Sequence, residues 1–376
     1  MIKYESKQVK SILNKMKYID SWFWCRYTLN AYNGCEHACT YCDARSDRYY
    51  LHQDFDKTVY IKTNAAQLLD SKLKNARTLE KDVIAMAGTS DGYQPAEKKS
   101  KNTCKILKVI AKHQFPVNIS TKNHLIERDL QIFADIAEKS WANIALTITS
   151  VNQNLTNFLE PRASSIAERF AVIKKISQNY PKIHVGINLM PIIPLLHDSH
   201  EELESLIQAG KRAGAQYILF APGVTLRDTQ GQFFLQKLKK YLTRKNQLDL
   251  FHTFVTNFGP EGKHDRTYYI KKNMELWQLC QKHEIKIDVP RWIPSDYRRE
   301  NYKAAEILLK EAKKLKFLGK PYKDLYWAGM NINNLKTSLG QLKSNGTLKK
   351  TINYTSRVYS IISPHIKAPT SLDRFF

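Results

Sequence analysis

Asn33-Gly34-Cys35-Glu36-His37-Ala38-Cys39-Thr40-Tyr41-Cys42 sets three cysteines at C-x3-C-x2-C spacing, directly after a strand-like run at residues 26–29. Three thiolates so spaced can wrap three corners of an iron–sulfur cubane and leave one iron without a protein ligand, unlike the four-cysteine electron-transfer pattern. The next cysteine along the chain is Cys104. Gly34 suits the close approach of backbone to an inorganic core. Two other readings stand beside this one. Zinc needs a fourth ligand, and His37, two residues from both Cys35 and Cys39, fits tetrahedral closure poorly. A disulfide would leave one of the three clustered cysteines unpaired. Cys25, Cys104 and Cys280 are scattered, which is no disulfide framework and fits a reducing compartment.

Outward from this loop the chain alternates short apolar runs with longer amphipathic ones. Residues 82–87, 115–120, 143–149, 183–190 and 217–220 read as strands, each followed by helical periodicity, over 95–113, 127–139, 162–178, 199–213 and 232–242 respectively. Strands separated by helices of this length imply a parallel sheet with right-handed crossovers. With residues 26–29 the count is six βα units, so the fold class is α/β, a partial (β/α)6 barrel with a mainly helical C-terminal extension. Chemistry is then expected at the C-terminal strand ends, where the βα loops gather. Residues 57–62 read as a small extra strand, followed by a helix near 65–73. From about residue 262 the pattern is helices broken by Pro and Asn-Gly. Three regions follow: residues 1–21 as an N-terminal extension, 22–250 as the barrel, and 251–376 as a basic extension.

The 376 residues are 43% apolar and 25% charged, enough for a packed core. Lys and Arg number 59 against 35 Asp and Glu, a net +24 that excludes a cationic partner and makes a polyanion such as nucleic acid or a membrane surface worth testing. Residues 301–376 hold 14 Lys and Arg against 4 Asp and Glu, which is either a solvated helical cap or a phosphate-tracking surface. No apolar run approaches the roughly 20 residues of a membrane span. The N-terminus lacks the apolar segment of a signal peptide, so the expected location is cytoplasmic. There is no repeat and no low-complexity tract.

The cysteine motif, with an aromatic residue before its last cysteine, resembles the radical S-adenosylmethionine (SAM) superfamily. That resemblance implies a [4Fe-4S] cluster on Cys35, Cys39 and Cys42 whose open iron binds SAM. It also implies reductive cleavage of SAM to a 5′-deoxyadenosyl radical and a reductant protein of flavodoxin or ferredoxin type. Further stretches are similar to spore photoproduct lyases and the DNA repair photolyase-like group: Ala87-Gly88-Thr89-Ser90-Asp91, Thr121-Lys122, Leu146 to Ser150, Asn157 to Pro161 with Glu168-Arg169, and Gly186-Ile187-Asn188 through Pro191. Together they cover roughly residues 26–194.

The resemblance implies a SAM site at successive strand ends. Thr89, Ser90 and Asp91 are expected to hold the ammonium group, although the same residues also suit a helix-capping loop. Lys122 is expected to pair with the carboxylate, and Thr147, Thr149 and Ser150 with ribose oxygens, although Thr is also common in half-buried strands. Tyr41, Asn188 and Pro191 are expected near adenine. Glu160 and Arg162 read as an ion pair at the barrel rim, or Arg162 reaches an anionic group. His124, His184, His197 and His200 share no ligand spacing and read as ordinary histidines.

One position departs from the lyases. They carry a hydrogen-donating cysteine immediately before Thr-Ser-Asp, and here that position is Gly88. Glycine cannot quench a substrate radical, so the expectation is hydrogen abstraction on a different substrate, with nucleic acid a candidate. The alternatives are a peptide or small metabolite as substrate, or a non-catalytic nucleic-acid-binding protein with a structural metal loop.

Overall fold

The structure is a computed structural model and describes residues 1–75, 79–260, 266–351 and 355–366. Six parallel strands make up most of the seven-stranded central sheet: β3 (Cys25–Leu29), β6 (Ile84–Met86), β7 (Val117–Thr121), β8 (Ala142–Thr147), β9 (His184–Ile192) and β10 (Ile218–Pro222), in the order β10-β9-β8-β7-β6-β3. The order never returns to its start, so the barrel is partial. β8 is buried along its whole length, as expected for a central strand covered on both faces. Asn118, Asn143 and Tyr217 join neighbouring strands by buried hydrogen bonds, with Asn143 Nδ2 donating to Asn118 Oδ1 at 2.7 Å and to the Tyr217 hydroxyl at 2.8 Å. Gly186 is required there, because a Cβ would meet the Tyr217 ring at 2.5 Å.

Each expected strand of the repeat is present. The helices between them are α1 (Ala65–Asn75), α2 (Ala96–Ser100), α3 (Asn102–Lys112), α4 (Leu130–Lys139), α5 (Gln153–Leu159), α6 (Ile166–Asn179), α7 (His200–Ala213) and α8 (Asp228–Arg244). Their starts follow local capping chemistry: Asn152 caps α5, Ser165 and Glu168 close a capping box on α6, and Ser199 caps α7, which Gly214 ends in a left-handed turn. The stretch 95–113, expected as one helix, is broken at Lys101, whose φ is +50°. The cause is Asn102, whose amide donates to the carbonyls of Ala31 and Lys62 and pins the chain there.

A small second sheet holds β1 (Lys3–Lys7), β5 (Thr58–Lys62) and β4 (Tyr32–Asn33), with β1 parallel and β4 antiparallel to β5. The residue 57–62 strand is therefore present. Its partner β1, KYESK, carries no apolar alternation and gives no sequence signal.

The chain divides into two compact units. The first comprises residues 1–15 and 27–289, and includes α9 (Leu248–Phe258) and α10 (Arg266–Lys282). The expected helical start near residue 262 falls outside the described residues as far as 265. The second unit comprises residues 16–26 and 290–376, with most of β2 (Asn14–Asp20) and helices α11 (Arg298–Phe317), α12 (Lys323–Asn333), α13 (Leu339–Ser344), α14 (Leu348–Thr351) and α15 (Ser356–Ile362). Its own core includes Ala305, Leu308, Ala328, Ile332, Leu339 and Val358. The Arg291 guanidinium lies between the rings of Trp24 and Tyr302, at 4.6 and 4.5 Å.

Candidate active site

The cysteine loop leaves β4 through Gly34, at φ +95°. A Cβ at that position would run into the carbonyl oxygens of Thr58 and Phe55, so glycine is needed on two counts. The Cys35 amide then donates to the Phe55 carbonyl at 2.7 Å, and the Thr40 amide to the Leu159 carbonyl at 2.8 Å. Gln94 staples the loop from the inside: its Nε2 donates to the Gly34 carbonyl and its Oε1 accepts from the Glu36 amide, both at 3.0 Å. The Glu36 carboxylate in turn accepts from the Tyr4 hydroxyl and the Ala96 amide. No disulfide involves the three thiols; Cys35 and Cys39 are buried and Cys42 is half-buried. Burial pushes the Cys39 and Cys42 thiols up.

Beside the loop, Asp91 is saturated. Its carboxylate accepts from the Thr121 hydroxyl (2.7 Å), the Tyr93 amide (2.8 Å) and the Lys122 amide (2.9 Å), and faces His37 Nδ1 at 3.4 Å. Burial works against its charge, but His37, Lys122 and Thr121 outweigh that and hold it at about 2. Burial also opposes a charge on His37, yet Asp91 and Cys35 lift it to about 10.

A second buried network runs under Tyr41. Its hydroxyl donates to Glu160, which also receives Arg169. Arg169 is 0% exposed and donates further to the carbonyls of Thr147 (2.8 Å) and Ser164 (2.9 Å). Burial raises the Glu160 carboxyl, and Arg169 and Lys122 more than reverse it, so the group stays ionised. The expected Glu160–Arg162 pair is thereby corrected: Arg162 is exposed and Arg169 is the partner, because the turn after Pro161 carries the nearer arginine outward.

The remaining expected site residues divide by what their polar atoms already do. The Ser90 hydroxyl donates to the Tyr32 carbonyl at 3.0 Å, and the Ser150 hydroxyl donates to Glu202 and accepts from the Asn152 amide. The Tyr41 carbonyl accepts from Gln230 at 3.3 Å and the Pro191 carbonyl faces His197 at 3.2 Å. Thr147 is buried at the end of β8, paired in register with Asn188 on β9. Thr89 is half-buried, with its amide on Asn30. Among these expected site residues, Thr149 Oγ1 and Asn188 Oδ1 are buried without a hydrogen-bond partner, as are His37 Nδ1 and Arg169 Nη2 in the neighbouring networks. The Lys122 ammonium lies 5.8 Å from the Tyr41 ring centroid. Burial disfavours its charge, and Cys39, Glu160 and Asp91 raise it nonetheless. Gly88 is exposed, and a Cβ there would meet nothing within 4 Å.

This donor set suits a cluster with a polar ligand beside it: three thiols in one fixed loop, a cation, and two orphaned acceptors at adjacent strand ends. Among the described residues, no group of three or more His, Cys, Asp or Glu side chains is gathered for a single metal ion. A cubane takes each thiolate on a separate iron and needs sulfurs spread more widely than a tetrahedral ion does.

Sequence reasoning missed Gln94 and Gln230, and it named His37 and Arg169 without assigning them to Asp91 and Glu160. Only Arg169 had a signal, since it occupies the apolar stripe Ile166, Val172, Ile173, Ile176 of α6.

Residues 29–207 match the family model of the Radical SAM superfamily. Relatives include an uncharacterized protein of Mycobacterium tuberculosis, 33% identical over 213 residues, which is 55% of this chain. A second, from Methanocaldococcus jannaschii, is 33% identical over 174 residues, or 46% of this chain. Each match spans 62% of the relative's own length. Similar solved structures include spore photoproduct lyase complexed with dinucleoside spore photoproduct, at 16% identity and TM-score 0.49, covering 69% of this chain and 80% of that one. Methylornithine synthase follows at 13% identity and TM-score 0.37, covering 73% and 85%.

Proposed function

We propose that the chain is a radical SAM enzyme that abstracts hydrogen from a substrate, with nucleic acid the favoured class; the match of residues 29–207 to the Radical SAM superfamily model supports this reading. The observation that carries this reading is the C-x3-C-x2-C loop, with three unpaired thiols fixed beside the C-terminal strand ends. Cys35, Cys39 and Cys42 would hold a [4Fe-4S] cluster. When bound, the cluster and SAM supply a reductively generated 5′-deoxyadenosyl radical.

The chain's own residues bind and orient. Lys122 offers a half-buried cation for the SAM carboxylate, and it stays charged because the thiols, Glu160 and Asp91 surround it. Of the residues expected near ribose and adenine, Thr149 Oγ1 and Asn188 Oδ1 have hydrogen-bonding capacity left. Thr89, half-buried on the loop after β6, is a further hydroxyl for the SAM ammonium group. Asp91, Ser90 and Ser150 act by holding the loops, since their hydrogen bonds are internal. Thr147 and Pro191 shape the wall, and Tyr41 carries Lys122 on its face. The open space at Gly88 is room for substrate where a quenching side chain is absent.

The test is anaerobic reconstitution with iron and sulfide, then dithionite and SAM, with 5′-deoxyadenosine detected chromatographically. A brown protein that forms 5′-deoxyadenosine supports the reading; a colourless, zinc-loaded protein that forms none overturns it. Electron delivery by a flavodoxin- or ferredoxin-type protein is tested by replacing dithionite with such a donor.

A further inference from the structure

The second unit is not needed to explain the cluster loop, and its surface has a composition of its own. Residues 290–376 hold 17 Lys and Arg against 6 Asp and Glu, close to half of the chain's net +24 in less than a quarter of its length. Within this unit Trp327 on α12 is 49% exposed, the most of any tryptophan in the chain. Its described neighbours, Tyr18 and Tyr326, meet it at 5.6 and 5.3 Å with interplanar angles of 72° and 81°. Neither lies flat on the indole. The Lys17 ammonium sits over the Tyr18 ring at 5.7 Å. The Lys313 ammonium, on α11, sits over the Trp22 ring at 5.4 Å. Asn334 ties α12 to this strand by donating to the Lys17 carbonyl at 3.1 Å.

We propose that the surface around Trp327, Tyr18 and Lys17 is a stacking platform for single-stranded nucleic acid. Lysines alone would suit any polyanion, and a solvated basic face needs no ligand. The half-exposed indole narrows the choice, because exposed aromatic surface gains from stacking on an unpaired base, which a duplex buries and an acidic peptide lacks. Lysines flanking the rings supply the phosphate contacts that track a strand without reading its sequence. This deepens the reading above by naming the class of substrate or guide strand that the enzyme grips. It is measured without cluster or SAM, so it fails or stands separately from the radical chemistry.

The experiment is fluorescence anisotropy on the full chain, with a labelled mixed-sequence single-stranded oligonucleotide, the matching duplex, and polyglutamate as competitor, at low and moderate salt. The strand should bind more tightly than the duplex and quench tryptophan emission. Trp327→Ala should weaken strand binding about tenfold and Trp327→Phe much less, with the thermal melt unchanged because the side chain is half out of the fold. Lys17→Ala should lower the slope of log affinity against log salt by about one. Formation of 5′-deoxyadenosine without substrate should be the same in all three variants. Equal affinity for strand and duplex with Trp327→Ala unaffected would overturn the platform, as would polyglutamate competing as well as the oligonucleotide.

Discussion

The two units of this chain manage charge in opposite ways. Around the cysteine loop, polar and ionised groups are buried and used up: Asp91 takes three hydrogen bonds and His37, Glu160 takes Tyr41 and Arg169, and Gln94 takes Gly34 and Glu36. The second unit has an apolar cluster of Ala, Leu, Ile and Val and buries a few polar groups, Asn301, Asn333 and Arg298 among them, but no described lysine of it is buried. A buried polar network holds each member in one geometry because any unpaired member is costly in low dielectric. A lysine-studded helical surface fixes nothing and binds by field and area. The first arrangement suits positioning a reactive group, and the second suits holding a long polyanion.

The hardest blow to that contrast falls on the thiols. Cys35→Ala, Cys39→Ala or Cys42→Ala should each reduce reconstituted iron and 5′-deoxyadenosine to background while circular dichroism keeps the helical signal. Retained iron in all three would break the reading of the loop.

Next comes Arg169→Leu, which leaves the Glu160 carboxylate buried without its cation and should cost about 3–5 kcal/mol in chemical denaturation. Pairing it with Glu160→Gln should recover part of that loss. Lys350→Gln, on the exposed face of the other unit, should shift stability by less than about 0.5 kcal/mol.

The same contrast divides two glycines. Gly34→Ala forces a left-handed residue and a collision with two carbonyls, and should lower both melting temperature and iron uptake. Gly88→Ala meets open space and should change neither. Equal effects at the two positions would show that the cysteine loop is not held as tightly as its hydrogen bonds indicate.

The last effect is a pH dependence in the first unit. His197 is buried with Nε2 at 3.2 Å from the Ile193 amide and the Pro191 carbonyl, and burial lowers its pKa to about 4. The unfolded chain takes up that proton near pH 6.5, so the contribution is fully present above 6.5. It is lost as pH falls from 6.5 towards 4, by a few kcal/mol at most. Replacing His197 with Gln should flatten stability against pH in that window, as read by denaturation at pH 7 and 5.

Much of this was legible in the chain itself. The six strands lie where apolar runs predict them, and the cysteine spacing raised the cluster reading proposed above. Loop chemistry was legible only in part. Asp91 and Lys122 stood out by type and place, but that Asp91 is spent on internal hydrogen bonds whereas Thr149 and Asn188 have capacity left cannot be read from one dimension. Lys101, at the break between α2 and α3, shows the same limit: the break follows from Asn102 reaching carbonyls at Ala31 and Lys62, 71 and 40 residues away.

The sequence by itself determined the periodicity of strands and helices and the trio of thiols, because both depend on spacing along a chain whose local geometry is fixed. Only the tertiary structure decided which arginine meets Glu160, which polar atoms are left without partners, and that Trp327 stays half exposed. Those outcomes depend on which distant segments become neighbours once the apolar surfaces are buried.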